Sequence, residues 1–477
     1  MSIPFSSFLI PDPSVPGNCW PVIPNQNSAR MLSLLFQLEQ SQWLSSADFA
    51  QVQRRQIGAL VAHAYKTSPF YRKRLDEVGL APDTIRSADD WRRIPLLTRD
   101  VWQMAGQDLY STAPPPQHGQ TSQLFTSGST GKPVMVITNA LTQLFWNAFT
   151  VRDHLWHKRN FGGKLAAIRF VSGNACDPPH GKLGQNWGPA TAGVVKTGPS
   201  ATLHIKAGVD QQVPWIVDQN PEYLITYPSN IYAIARFAED RGIQFPSLKE
   251  IRTFGEILEP HVREIVRRVL GLKIVDMYSS QEVGYIALQC PEHEHYHVQS
   301  ENVLLEVIDD KGEPCQPGEI GRVVVTALHN FSTPIIRYQI GDYAEVGEPC
   351  PCGRGLPVLN RVVGRQRNML VLPNGELRWP SIEVDTALQG EQEIPPIQQF
   401  QVIQRSLEEI EAVLVTPREL TDAEKKLLMD WFEASFGWSF QVKFTYVDHI
   451  PSSPTGKFED FRSDIAAQYM ANRFSSS

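Results

Sequence analysis

Residues 126–133, Thr-Ser-Gly-Ser-Thr-Gly-Lys-Pro, form the segment that most strongly indicates the fold. Hydroxyl side chains, glycines and a lysine follow the apolar pair Leu124 and Phe125. Such a loop can present backbone N–H groups, hydroxyls and an ammonium to phosphate oxygens, because glycine allows close backbone approach. The glycine spacing differs from that of a Walker A loop, and Pro133 replaces its magnesium-binding Ser or Thr. Composition alone fits a flexible Ser/Gly loop equally well.

Downstream of this loop, short apolar runs alternate with helix-like stretches. The runs are KLAAIRF (164–170), EYLITY (222–227), LKIVDMY (272–278) and GRVVVTAL (321–328), and PHVREIVRRVL (260–270) is typical of a helix. Strands that alternate with helices predict an α/β domain with a substantial sheet. Near the N-terminus, apolar residues at helical spacing predict an amphipathic helix that Pro69 ends.

The last hundred residues have a different pattern. FQVIQ (400–404), IEAVLVT (410–416) and QVKFTYV (441–447) are typical of strands. Between them, Thr421 and Glu424 are spaced for a capping box, and Gly437 suits a helix C-cap. We therefore predict a Pro-rich N-terminal arm over 1–27, a large domain over 28–363 and a small α+β domain over 364–477.

Composition excludes several classes of protein. The 477 residues are 42% hydrophobic and 20% charged with a net charge of −7, as in folded globular proteins. The sequence has no run of Lys and Arg that would predict nucleic-acid binding. It also has no apolar segment that would predict a signal peptide or a membrane span. Six cysteines are few for a disulfide scaffold. We expect a cytoplasmic protein without a nucleic-acid or membrane partner.

Five further segments follow the glycine-rich loop in a recognisable order. They are Thr253-Phe-Gly-Glu256, Asp276-Met-Tyr-Ser-Ser-Gln-Glu282, Arg337-Tyr-Gln-Ile-Gly-Asp342, Gly364-Arg365 and Ser453-Pro-Thr-Gly-Lys457. Together the segments resemble the adenylate-forming superfamily, specifically its phenylacetate-CoA ligase and capsular-polysaccharide adenylating branch. The resemblance extends from about residue 50 to about residue 465.

This resemblance implies a fold and a reaction. The fold is α/β, a large N-terminal adenylate-forming domain with several sheets flanked by helices and a small mobile α+β C-terminal domain. The reaction is ATP-dependent activation of a carboxylic acid, of aryl or small organic type, to an acyl adenylate with release of pyrophosphate. Transfer to a thiol such as that of CoA follows. The alternatives are a carrier protein, amine or hydroxyl as acceptor, or an inactive zinc-containing interaction protein of the same fold. A homodimer is a further expectation.

The resemblance also assigns residues to roles. Lys457, Glu282 and Thr126 are the predicted catalytic residues, with Glu282 also binding Mg²⁺. The predicted ATP-binding residues are Ser127, Gly128, Ser129, Thr130, Gly131, Lys132, Gly255, Glu256, Asp276, Tyr278, Ser279, Ser280, Gln281, Asp342 and Arg365. Those expected to border the acid are Tyr227, Pro228, Ser229 and Phe254. Taken singly, these polar residues would be ordinary surface or turn residues.

A Cys/His-rich pair of segments predicts a metal site. Cys290-Pro-Glu-His-Glu-His-Tyr-His297 precedes Cys350-Pro-Cys352, and thiolates with imidazole suit tetrahedral Zn²⁺. The resemblance selects Cys290, His297, Cys350 and Cys352 as ligands of a structural zinc, leaving out His293 and His295. The alternative is a set of reduced thiols beside a His-rich loop.

One departure from the family concerns the junction of the two domains. Many members have an acidic pair after the Gly-Arg, whereas this chain has Gln366-Arg367-Asn368. In the family, the small domain rotates about this junction before the CoA step, so the change implies either that Arg367 acts as the pivot or that the acceptor is not CoA.

Overall fold

The computed structural model describes residues 9–126, 133–380, 397–451, 453, 457–466, 468 and 469. Predicted ATP-binding residues 127–132 lie outside this set. The chain divides into two compact units. The first comprises Met1–Leu258, Arg263–Ile340 and Ala344–Val362, and the second comprises Glu259–Val262, Gly341–Tyr343 and Val363–Ser477.

Five α-helices lie before the first strand in the described part of the chain. They are α1 (Gln26–Ser41), α2 (Ser46–Thr67), α3 (Pro69–Glu77), α4 (Ala88–Arg92) and α5 (Arg99–Ala105). The predicted amphipathic helix is α2, which buries Leu60, Val61 and Ala64. Pro69 ends this pattern by starting α3 at the first helical position, where proline's missing N–H costs no hydrogen bond. Ser68 caps α3 with its side chain.

The largest sheet of the described residues has twelve strands. The strands are β3 (Leu165–Arg169), β4 (Lys182–Gly184), β5 (Ser200–His204), β6 (Tyr223–Thr226), β7 (Glu250–Phe254), β8 (Ile274–Ser280), β9 (Gly284–Gln289), β10 (Tyr296–Val298), β11 (Val303–Ile308), β12 (Ile320–Ala327), β13 (Tyr338–Val346) and β14 (Val358–Arg365). Their order in the sheet is β11-β12-β13-β14-β10-β9-β8-β7-β6-β3-β5-β4. A separate hairpin contains β1 (Thr121–Phe125) and β2 (Met135–Asn139). The helices in this part of the chain are α6 (Ala140–Trp156), α7 (Pro189–Ala192), α8 (Val209–Gln219), α9 (Pro228–Arg241) and α10 (Pro260–Leu270).

The centre of the large sheet is parallel. β5, β3, β6, β7 and β8 pair in that order with parallel register. Their apolar residues are buried, as expected when helices cover a parallel sheet. The α/β prediction is confirmed, and the carboxyl ends of these strands share one edge.

A buried ion cluster joins α6 to this sheet. Asp153, at 0% exposure, accepts hydrogen bonds from Arg159 (2.7 Å) and from Arg252 of β7 (2.5 Å). Burial opposes the ionisation of Asp153, but the two guanidinium groups outweigh it and hold the pKa far below its usual range. For His157, burial favours the neutral imidazole and lowers the pKa to about 3. The cluster fixes the α6 end against the strand that leads to Phe254 and Gly255.

The second unit contains the small C-terminal sheet. The strands of this unit are β15 (Leu370–Val371), β16 (Leu377–Arg378), β17 (Gln399–Gln404), β18 (Glu409–Val415), β19 (Gln441–Tyr446) and β20 (Phe461–Ser463), and β15 pairs with β16 in a sheet of its own. The small C-terminal sheet has four strands in the order β19-β18-β17-β20, and helix α11 (Asp422–Phe436) packs against it. Thr421 and Glu424 form the predicted capping box, and Gly437 ends α11 with φ 70°.

None of the helices in the described ranges combines the length and apolar character that a bilayer span requires.

Candidate active site

Most predicted pocket and ATP-binding residues of the first unit lie at the carboxyl edge of the parallel strands. Tyr227 follows β6, Gly255 and Glu256 follow β7, and Tyr278 lies near the end of β8. Gly255 has φ 80°, a conformation that favours glycine and turns the chain away from the strand. Open parallel sheets bind ligands at this edge. The strand order therefore brings together residues that are far apart in sequence.

Two aromatic side chains pack together at this edge. The rings of Tyr227 and Phe254 lie 4.8 Å apart between centroids, at 39°. The Tyr227 hydroxyl accepts a hydrogen bond from the Phe170 N–H at 3.3 Å, and burial raises the Tyr227 pKa. Tyr227 is therefore a neutral phenol at physiological pH. Phe170 itself, 39% exposed after β3, was not predicted as a pocket residue.

The loops that follow β6 and β7 are joined by Glu256. Its carboxylate accepts a hydrogen bond from the backbone N–H of Ser229 at 2.9 Å. Ser229 lies in the first turn of α9, directly after Pro228, and a negative charge is favourable at a helix N-terminus. This bond holds a predicted ATP-binding residue beside two predicted pocket residues.

The side chain of Asp276 lies inside the fold. It accepts hydrogen bonds from the Thr253 hydroxyl at 2.6 Å and the Tyr296 hydroxyl at 2.8 Å. Burial raises its pKa to about 6, against the lowering effect of these hydrogen bonds. The Asp276 carboxylate thus serves to connect β8, β7 and β10, and contact with ATP through its backbone stays a prediction.

The end of β8 carries the other predicted residues of this segment. The register of β8 with β9 shifts between Tyr278 and Ser279. Ser280 accepts a hydrogen bond from the Val283 N–H at 3.3 Å, Gln281 is exposed, and Glu282 is 10% exposed at its side chain. This turn therefore directs Glu282 away from bulk solvent.

Arg99 connects two predicted catalytic residues. Its Nη2 donates to the Thr126 hydroxyl at 2.9 Å, and its Nη1 lies 3.9 Å from Glu282 Oε1. Thr126 is 6% exposed and also accepts from the Val134 N–H at 3.2 Å. The sequence interpretation missed Arg99, because a single Arg after the helix-capping Thr98 carries no recognisable pattern.

Predicted ATP-binding residues Asp342 and Arg365 form an ion pair in the second unit. Arg365 Nε lies 3.3 Å from Asp342 Oδ1, with Asp342 10% exposed and Arg365 44% exposed at the side chain. Both side chains carry the groups expected to contact a ribose or a phosphate. Their proximity is a result that the separate segments could not reveal.

Ser453 and Lys457 are the first and last residues of the segment that we call the lysine loop, and two hydrogen bonds join them. The Lys457 N–H donates to Ser453 Oγ at 3.0 Å, and the Ser453 N–H donates to the Lys457 carbonyl at 2.8 Å. Beyond the lysine, Glu459 pairs with Arg367, and the Phe461 carbonyl accepts from Asn368 at 2.6 Å. Arg367 and Asn368, which replace the family's acidic pair, therefore bind the residues that directly follow the lysine loop.

A Cys/His cluster lies where the predicted metal site was expected. Ligand atoms of Cys290, His295, His297 and Cys350 all lie within 4.8 Å of one another. Zinc–ligand bonds of 2.0–2.3 Å would separate tetrahedral ligands by roughly 3.3–3.8 Å, and the thiols of Cys290 and Cys350 are 3.8 Å apart. The donor set and its spacing therefore fit Zn²⁺.

The cluster contains His295 in addition to three of the four predicted ligands, and the fourth predicted ligand, Cys352, lies beside it. His295, which the sequence interpretation left out, belongs to the cluster, and its buried Nε2 has no hydrogen-bond partner. Cys352, which it included, lies 3.4 Å from His297 Nε2 and accepts from Arg354 at 3.4 Å. Burial raises the pKa of Cys290 and Cys350, so a cation beside them would favour their thiolates.

Comparisons with protein families match most of the chain. A model described as AMP-binding enzyme matches residues 100–333, and one described as CapK C-terminal domain matches residues 382–463. The first match contains strands β3 to β12 of the large sheet, and the second contains strands β17 to β20 of the small C-terminal sheet.

Individual relatives agree with these families. The chain is 28% identical over 370 residues to phenylacetate-coenzyme A ligase of Thermus thermophilus, covering 74% of this chain and 78% of the relative. It is 24% identical to the Escherichia coli enzyme of that name, over 67% and 72% of the two chains. Protein CapK of Staphylococcus aureus is 26% identical over 50% of this chain and 51% of CapK.

Solved structures show the same fold. A 2-hydroxyisobutyryl-CoA ligase in the postadenylation state superposes with a TM-score of 0.69 at 19% identity, covering 92% of this chain and 94% of that one. With both family models, the relatives and this fold in agreement, the chain belongs to the adenylate-forming superfamily, in the branch of the phenylacetate-CoA ligases and CapK.

Proposed function

We propose that the protein is an acid–thiol ligase, which uses ATP to convert a carboxylic acid to an acyl adenylate and then transfers the acyl group to CoA. The main observation behind this function is that Thr126 and Glu282 both contact the guanidinium group of Arg99. A hydroxyl, a carboxylate and a cation from three separate segments thus lie close together, and Thr126 directly precedes the predicted phosphate loop in the sequence. The match to phenylacetate-coenzyme A ligases supports the same reaction.

In the first half-reaction, the substrate carboxylate attacks the α-phosphorus of ATP, and pyrophosphate leaves. Negative charge increases at the transferring phosphoryl group, so catalysis depends on positioning and on stabilising charge. We assign Lys457 to the α-phosphate, Thr126 to the phosphate chain, and Asp342 and Arg365 to the ribose side of the nucleotide. Residues 127–132 would supply further N–H groups and hydroxyls.

Glu282 is the proposed magnesium ligand. Its carboxylate is the hard oxygen donor that Mg²⁺ prefers, and its 10% exposure leaves it poorly solvated without a cation. Bound Mg²⁺ would offset the charge of the phosphate oxygens and of the pyrophosphate that leaves. The chain's own contribution is to hold this carboxylate at the turn after β8.

In the second half-reaction, a thiol attacks the acyl carbon of the adenylate and AMP leaves. The relatives named for coenzyme A make its thiol the proposed acceptor. A carrier protein, an amine or a hydroxyl is the alternative acceptor, because Arg367 and Asn368 replace the usual hinge acids. An inactive zinc-containing protein of this fold is a further alternative, which the intact Thr126, Glu282 and Lys457 disfavour.

The acid is proposed to be an aryl or small organic acid. The packed rings of Tyr227 and Phe254 offer flat apolar surfaces to such a group, and the backbone N–H of the exposed Phe170 bonds to the Tyr227 hydroxyl. The Cys/His cluster is proposed to hold one structural Zn²⁺, since its donors belong to no other described site. A homodimer and a cytoplasmic location stay predictions.

Product analysis with several acceptors tests this function. Full-length protein would be incubated with Mg·ATP, a panel of aryl and aliphatic acids, and CoA, a phosphopantetheinyl carrier protein or hydroxylamine. We expect AMP, pyrophosphate and an acyl-CoA, identified by mass spectrometry, for one class of acid. If the carrier protein is acylated and no acyl-CoA forms, the carrier protein is the acceptor. If the protein binds ATP but forms no adenylate, the result supports the inactive alternative.

A further inference from the structure

Arg99 occupies a position that none of the predicted roles explains. It is the first residue of α5, and its guanidinium lies between Thr126 and Glu282, which belong to segments distant in sequence. Its side chain is 22% exposed and that of Glu282 is 10% exposed. Both charges are therefore largely removed from water, where their interaction is weakly screened.

The contact with Glu282 is an ion pair without a hydrogen bond. The separation of 3.9 Å between Nη1 and Oε1 exceeds hydrogen-bond length, whereas the Thr126 hydroxyl is bonded to Nη2 at 2.9 Å. Thr126 thus orients the guanidinium, while the Glu282 oxygen keeps lone pairs that a cation could use. In the ligand-free chain, Arg99 supplies the positive charge that this poorly solvated carboxylate needs.

A divalent cation on Glu282 changes this balance. The guanidinium would then lie about 4 Å from an oxygen that binds the metal, and the two cations would repel each other. The repulsion is relieved if an anion arrives together with the metal and pairs with Arg99. The phosphate chain of ATP is such an anion, and the hydroxyl that orients Arg99 starts the predicted phosphate loop.

We propose that Arg99 binds the phosphate chain of ATP and makes divalent-cation binding at Glu282 dependent on the nucleotide. The proposal rests on the proposed function, because it uses the assignment of Glu282 to the metal. Without nucleotide, Arg99 neutralises Glu282 and opposes the metal. With nucleotide, Arg99 exchanges the carboxylate for a phosphate oxygen, and the metal takes its place on Glu282.

Binding measurements without an acid substrate test this exchange. Mn²⁺ replaces Mg²⁺ as the probe, its free concentration is followed by electron paramagnetic resonance, and binding of an ATP analogue with a methylene bridge between the α- and β-phosphates is followed by calorimetry. Wild type should bind Mn²⁺ at least tenfold more tightly with the analogue than without it. Arg99→Gln should bind Mn²⁺ alone at least tenfold more tightly than wild type, yet bind the analogue at least tenfold more weakly.

Two further variants separate charge from general damage. Arg99→Lys keeps the positive charge and should keep the weak Mn²⁺ binding without nucleotide, with intermediate affinity for the analogue. Arg93→Gln removes a cation from an exposed pair with Asp90 and should behave as wild type. Opposite changes in metal and nucleotide affinity are not expected from a misfolded protein.

The outcomes distinguish this proposal from the proposed function. Unchanged Mn²⁺ and analogue affinities in Arg99→Gln would overturn the role of Arg99, even if wild type forms adenylates normally. A parallel loss of both affinities would also overturn it, since that result indicates a structural role. If the opposite changes occur but wild type adenylates no acid, the role of Arg99 stands and the proposed enzymatic function fails.

Discussion

The ion pair between Arg367 and Glu459 leads to a prediction about the lysine loop. Arg367 lies in the 3₁₀ turn Gln366–Asn368 that follows β14, and Glu459 lies two residues after Lys457. Asn368 supports the same contact through the Phe461 carbonyl. We expect Arg367→Glu to reduce adenylation, because like charges would push the lysine loop away from this turn.

The expected size follows from how far the pair is buried. The two side chains are 27% and 29% exposed, between an open surface pair and a closed interior pair. Surface pairs contribute about 0.2–1 kcal/mol and broken interior pairs cost about 3–5 kcal/mol. A cost of about 1–2 kcal/mol is therefore expected, which corresponds to about a 5–30-fold fall in the rate constant of adenylation.

Two half-reaction assays measure this effect. Exchange of labelled pyrophosphate into ATP reports adenylation, and thioester formation from a preformed acyl adenylate reports the second step. The fall should appear in kcat for exchange, with little change in thioester formation. The double variant Arg367→Glu with Glu459→Arg should recover most of the rate, because it restores an attractive pair.

A matched control removes an ion pair elsewhere in the second unit. Arg418→Glu breaks the pair with Glu424 at the start of α11 and should leave both half-reactions near wild type. Equal losses in Arg367→Glu and Arg418→Glu would show a general loss of stability. A double variant as slow as the single one, or a single variant with no loss, would refute the positioning of the lysine loop by Arg367.

Three further predictions concern stability. Asp153→Asn should lower the free energy of unfolding by about 3–5 kcal/mol in denaturant titrations, because Arg159 and Arg252 stay buried without their anion; a loss below 1 kcal/mol would contradict this. Asp276 has a pKa of about 6, above its ordinary 3.8, so the native state binds more protons and stability falls as pH rises between these values. The fall is about 3 kcal/mol and should be absent in Asp276→Asn, whereas parallel pH curves for the two proteins would contradict it. Cys350→Ser should remove zinc measured by atomic emission and lower stability more than ATP affinity, and wild type without zinc would contradict the metal site.

Local features of the fold were predictable because nearby residues determine them. The capping box of Thr421 and Glu424, with Gly437 as C-cap, depends on a few consecutive residues, and the structure has it as predicted. Strand positions followed from apolar runs. The order of the strands did not, because β14 pairs with β10 across about sixty residues of chain, and periodicity carries no information on such pairing.

The site was predictable in composition and less so in geometry. Tyr227 and Phe254 were assigned together and do pack together. Arg99 was missed because its partners are separated from it in sequence and meet only through the fold. The nearness of His295 to the predicted zinc ligands could not be predicted, because the bend that returns it to Cys290, closed by a 2.8 Å backbone hydrogen bond, is a three-dimensional feature.

Acid-dependent exchange of labelled pyrophosphate into ATP, in wild type and in Lys457→Ala, tests the central claim most directly. We predict exchange in wild type with one class of carboxylic acid and a fall of about a hundredfold or more in the variant, as for loss of a group that stabilises transition-state charge. Thioester formation from preformed adenylate should be largely kept. Absence of exchange with every acid, although the protein is folded and binds ATP, would contradict the account.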